Sequence, residues 1–106
     1  MTGALDLSWA AALRRLRMFC PTDRPVRVRL MRMSGDAHGT CEQREKLYLL
    51  DIERTLTESH RLMVLSHEWA HAMAWPLELA WGPEHTAHFG ICYVRAYNAI
   101  FDPGVL

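Results

Sequence analysis

Residues 64–75, VLSHEWAHAMAW, place two imidazoles and a carboxylate in a segment whose other side chains are mostly apolar or small. Burying such groups without partners is costly. A fold that accepts this segment must therefore keep His67, Glu68 and His71 wet or pair all three. The local pattern predicts a helix. Thr55 and Glu58 have capping-box spacing, and the helix should run from Leu56 to about Trp75, where Pro76 stops it. Leu62, Leu65, Trp69 and Met73 then pack one side, while Ala70, Ala72 and Ala74 keep the turns slim. His67 and His71 lie one turn apart, so their rings leave the same face and can converge on one point.

The rest of the chain supplies a partner for such a helix. With 106 residues, 50% hydrophobic and 23% charged, it reads as a single domain spanning 1–106 with room for one modest core. Ser8 can cap a first helix whose stripe is Trp9, Leu13, Leu16 and Cys20, and Pro21 ends it. PVRVRLMRM alternates, with Val26, Val28 and Leu30 on one face and Arg27 and Arg29 on the other, as in a half-buried strand. SGDAHG is a turn that includes His38, and TCEQR suits an exposed edge strand. KLYLLDI is nearly all apolar and predicts a central strand covered on both faces. A last helix should start near Glu84 or His85 and end at about Phe101, before DPG. Short connections favour a mainly antiparallel three-stranded sheet with the helices packed on it, an α+β domain.

Charge and cysteine narrow the partner classes. Twelve basic and twelve acidic residues cancel, so no global field draws the protein to a polyanion. Seven arginines nevertheless precede Met33 (14, 15, 17, 24, 27, 29 and 32), against Asp6 and Asp23. That front half is read as a solvated face, with nucleic-acid contact as the weaker alternative. Cys20, Cys41 and Cys92 are odd in number and lack C-x-x-C spacing, so neither a disulfide framework nor a zinc ribbon is expected. There is no leader-like start and no apolar run long enough for a bilayer. The expectation is a soluble, cytoplasmic protein without membrane contact.

The His67–Glu68–His71 spacing has a specific chemical use. Zinc takes neutral imidazole nitrogen at about 2.0–2.1 Å, so these histidines supply half of a tetrahedral shell. Glu68 is rotated about 100° from His67. It is poorly placed as a ligand but can reach a water at the metal's open position, which is the logic of H-E-x-x-H. A third ligand is available in GPEHTAHFG. On a helical projection His85 aligns with the core stripe Phe89, Cys92 and Ala96, whereas His88 is displaced by about 60°. His85 is thus the preferred third ligand, with His88 an alternative or a supporting donor and Glu84 and Glu78 less suited. His60 lies two turns before His67, about 10 Å along the axis, too far to ligate.

HEWAH at residues 67–71, followed by a histidine and then a phenylalanine four residues on (His85 to Phe89), resembles the SprT-like zinc metallopeptidases. It is closer still to small metallopeptidases of phages and prophages, whose signature pairs HEWAHA-like and HGPEF/W-like segments. The likeness covers about residues 45 to 100. It implies a minimal zincin fold, zinc on His67, His71 and His85, and Glu68 as general base. Thr86 stands where the family usually has glycine, and His88 where an acidic residue is common. The cysteine-rich ribbon with which longer members engage DNA is missing after the last helix. Ala74 and Leu77 occupy the positions of the metzincin glycine and third histidine, which excludes that group.

The expected activity is zinc-dependent hydrolysis of a peptide or protein substrate, in the host cytoplasm if the chain is phage-encoded. An extended peptide would lie along the exposed edge strand, with Glu42, Gln43 and Arg44 the guessed edge residues. Tyr93 or Tyr97 could serve an oxyanion, although packing explains both tyrosines more simply. The rival is a zinc-stapled, non-catalytic protein-binding domain of a phage or prophage accessory protein, in which His88 would close the shell as a fourth ligand.

Overall fold

A computed structural model describes residues 4–81 and 86–106, with the backbone alone for 78–81. The elements run α1 (Trp9–Phe19), β1 (Val26–Met31), β2 (Gly39–Gln43), β3 (Tyr48–Glu53), α2 (Glu58–Trp81), α3 (Ala87–Phe101) and a short 3₁₀ turn, Pro103–Val105. The α+β class is as the sequence implied.

The central strand is β3, and its composition explains why. Tyr48, Leu49, Leu50 and Ile52 are all buried, so this is the strand that gains most from neighbours on both edges. The sheet order is β1-β3-β2. Here the mainly antiparallel expectation fails, because β1 pairs with β3 in parallel, Val28 opposite Leu50, and only β2 is antiparallel to it. The reason lies in the link between β1 and β2. Residues 32–38 are long enough to cross the sheet end, which leaves a slot for β3 between two strands that a tight hairpin would have paired.

Helices cover one face only. Tyr48 and Leu50 join Ala12, Leu16, Cys20, Leu62, Leu65, Trp69 and Ala96 in the main core, with Val26, Val28 and Cys41 packed against it. On the other face Leu49 lies in register between Arg27 and Glu42, and Arg29 grips Asp51 through two hydrogen bonds of 2.7 and 3.0 Å. The expectation of a strand covered by elements on both faces is therefore corrected. Long polar side chains shield Leu49, and no second layer of helices does so among the described residues. Burial pushes the Tyr48 hydroxyl up to about 12, helped by its hydrogen bond to Asp23, and pushes the Cys20 thiol up to about 11.

Helix ends are tied across the layer. Ser8 Oγ accepts from the Ala11 amide and starts α1 as expected. Arg15 of α1 donates to the carbonyls of Ala99 and Ile100 at the end of α3, at 2.8 and 2.9 Å, and Arg95 of α3 donates to Phe19 O at the end of α1. Each helix thus supplies the cation that satisfies the other's terminal carbonyls. Arg24 donates to Arg44 O. Arg15 and Arg24 are thereby half-buried, while Arg14, Arg17, Arg27, Arg29 and Arg32 stay exposed, as a solvated face requires.

The start and end of α2 differ from expectation. Thr57 Oγ1, not Thr55, accepts from a first-turn amide, that of His60 at 3.3 Å. Thr55 instead donates to Glu53, whose carboxylate also accepts from Met33 N. These backbone hydrogen bonds, led by that of Met33, hold the Glu53 carboxyl below its usual range. At the other end α2 passes through Pro76 and continues to Trp81. Proline removes one intrahelical hydrogen bond and crowds the preceding turn, at about 3 kcal/mol. The helix nonetheless continues, lying along α3 in the most extensive helix contact among the described residues. No helix among the described residues is long and apolar enough to cross a membrane.

Candidate metal centre

His67 and His71 converge as their spacing predicts. Their Nε2 atoms are 3.2 Å apart, with ring centroids at 4.9 Å and planes inclined by 73°. Two zinc–nitrogen bonds opened to the tetrahedral angle would place the nitrogens about 3.3–3.4 Å apart. The observed separation therefore fits a shared ion, and it also lets one imidazole hydrogen-bond to the other without one. The Glu68 carboxylate completes the group: one ligand atom from each of the three residues lies within 4.8 Å of the others. His67 is half-buried, whereas Glu68 and His71 are only 7% and 8% exposed.

Helix α3 forms one wall of the cluster. Phe89 lies over His71 with centroids 4.4 Å apart and planes at 34°, and its edge approaches His67 at 5.3 Å. Tyr93 sits 5.7 Å from His67. These rings pack against the imidazoles on the α3 side. Thr86 caps α3 by accepting from Phe89 N, which fixes the turn carrying that phenylalanine. Tyr97 is not brought here and packs on Phe101 instead.

Strand β2 forms the opposite wall, through a residue that sequence reasoning passed over. A Cβ at Gly39 would come within 2.5 Å of Val64 Cγ1 and 3.0 Å of Glu68 Cγ, so only glycine lets the strand press this close to α2. Its signal in the sequence was a turn-like SGDAHG, which gives no hint of a close approach. Gly39→Ala is expected to cost about 1–3 kcal/mol by overpacking and to displace Glu68. A urea titration checks this, and an unchanged midpoint would mean that β2 can move off the helix freely.

Two clefts open on the cluster. One, about 300 Å³, is lined by His38, His60, Met63, Val64, His67, Glu68 and Tyr93 with Gly39. The other, about 330 Å³, is lined by Gly39, Thr40, Cys41, Trp75 and the cluster itself. The part of β2 that borders the cluster is thus Gly39–Cys41, not the Glu42–Arg44 end, where Arg44 pairs with Glu42 at 3.0 Å.

Of the third-ligand candidates, His85 and Glu84 lie outside the described residues, as does the side chain of Glu78. His88 stands apart from the His67–Glu68–His71 group, with its Nε2 3.6 Å from Cys92 Sγ in the next turn of α3. His60 is exposed and also outside the group, as its distance along the helix required.

Fold and cluster together define a small α+β domain with a helix-borne His–Glu–His group able to hold a metal ion. Comparison with protein-family models, curated proteins and solved structures finds no match.

Proposed function

We propose that this domain is a zinc-dependent peptidase of the SprT-like kind. The observation that carries the reading is the 3.2 Å approach of the His67 and His71 nitrogens beside the Glu68 carboxylate. A structural zinc site needs no general base and closes its shell with four protein ligands. His67 and His71 would hold the metal with His85, which precedes α3 in sequence, as the third ligand. When bound, zinc would polarise the scissile carbonyl and acidify the attacking water.

The remaining work falls to the chain. Glu68 takes the proton of the water and passes it to the departing amine. Phe89 fixes the His71 ring, and Gly39 lets the edge of β2 run beside the reacting groups. An extended peptide would lie along that edge through both clefts, held by main-chain hydrogen bonds. The zinc-stapled binding domain gains nothing from His88, whose ring turns to Cys92. Nucleic-acid binding gains little from Arg15, Arg24 and Arg29, which already donate to Ala99 O, Arg44 O and the Asp51 carboxylate.

Purified protein is expected to carry one equivalent of zinc and to cleave an unfolded protein such as reduced casein. In His71→Ala the zinc content should fall well below one equivalent and cleavage should stop. Equal zinc in wild type and His71→Ala would overturn the metal site. Full zinc with no cleavage of any peptide by the wild type would overturn the peptidase.

A further inference from the structure

The cleft on the His67 side of the cluster has a second pair of imidazoles at its far end. His38, the residue before β2, and His60, in the first turn of α2, meet edge to face with centroids 5.1 Å apart and planes at 89°. Both are exposed, and they come from different elements. They share the cleft of about 300 Å³ with Met63, Val64, Tyr93 and the reacting end of the cluster. Among the described residues lining it Glu68 is the only acid, and it belongs to that reacting end.

We infer that His38 and His60 form a carboxylate subsite, and that the preferred substrate is a peptide with a glutamate side chain about three residues from the bond cut. This rests on the peptidase reading and names its substrate class. The distance follows from the helix. His60 and His67 are seven residues apart, about 10 Å along the axis, and an extended peptide advances about 3.3 Å per residue.

The chemistry follows from the pair. An imidazole donates through N–H whether neutral or charged. Two that meet edge to face at the end of one cleft offer two donors to a single carboxylate. Met63 and Val64 offer apolar surface for the two methylenes of a glutamate. A metal ion fits the pair less well, because two imidazoles are half a shell and no third ligand joins them among the described residues.

The test uses zinc-loaded protein and matched peptides carrying Glu or Gln at the second to fourth position on either side of the cleaved bond. Wild type should prefer one Glu peptide over its Gln partner by about tenfold in kcat/KM, the scale of a hydrogen bond to a charged group. The difference should lie in KM. The ratio should fall toward one in His38→Gln and in His60→Gln. Fluorescence anisotropy of the same peptides on zinc-loaded Glu68→Gln gives a readout free of turnover, with the same preference expected there and its loss on adding His60→Gln.

Equal binding of the Glu and Gln peptides would overturn the subsite. So would loss of a second zinc equivalent in His60→Gln, which would make the pair a metal site. A binding preference in protein that cleaves nothing would uphold the subsite while the peptidase reading fails, so the two failures are distinguishable.

Discussion

Glutamine in place of Glu68 is expected to leave one equivalent of zinc bound while hydrolysis of an unfolded substrate falls by about 10²–10⁴-fold, the range contributed by a general base. The substitution isolates the proton-accepting role. Glutamine keeps the length and shape of the side chain, so the contact that Gly39 makes possible against its Cγ survives, and His67 and His71 are untouched. What disappears is an acceptor able to take a proton and release it again. Glu68→Asp keeps the acid but withdraws it by one methylene from a site where the ligand atoms already span 4.8 Å. It should recover only part of the rate. Metal analysis and cleavage kinetics on the same preparations decide the matter. If Glu68→Gln cleaves like the wild type, the base is elsewhere.

The cluster was legible before any coordinates because a spacing of four residues on a helix sets both side chains on one face, a turn apart, where their rings can meet. The same holds for Ser8 before α1 and for the central place of β3, where an unbroken apolar run suits no edge. Longer-range features were harder to read. The parallel pairing of β1 with β3 depends on how residues 32–38 travel, and a seven-residue link permits either a hairpin or a crossing.

Pro76 shows a different kind of failure. Its local cost is a few kcal/mol, and a rule that stops helices at proline assumes that nothing offsets it. Here α3 lies alongside, and the helix continues. In the clefts, His38 and Gly39 read as turn residues because SGDAHG is turn-like, and only the folded arrangement puts them against α2. Functional walls built from sequence-distant elements leave no periodic trace. Phe89 is intermediate: its place on the core stripe of the last helix was evident, but its stacking on His71 was not.

The largest stability effect is expected at Trp69, on the side of α2 opposite the cluster. Trp69 is 1% exposed, shares the core with Leu16 of α1 and Tyr48 and Leu50 of β3, and donates its indole N–H to Cys20 O at 2.9 Å, the carbonyl at the end of α1. Trp69→Ala removes both the packing and the tie, for an expected loss of about 3–5 kcal/mol. A domain of this size holds about 5–15 kcal/mol in total. Its melting temperature should therefore fall by roughly 12–40 °C, at about 4–8 °C per kcal/mol. Trp69→Phe retains most of the ring but strands a buried carbonyl, so it should cost about 1–3 kcal/mol.

Thermal unfolding of both variants, with zinc and with a chelator, separates core from centre. Each variant should keep the wild-type difference between the two conditions, because Trp69 faces away from His67 and His71 and its removal leaves their convergence intact. Equal losses for the Phe and Ala variants would shift the weight from packing to the Cys20 hydrogen bond. Disappearance of the zinc-dependent difference would show that the main core and the metal centre fold as one strained unit rather than as a scaffold and the site it carries.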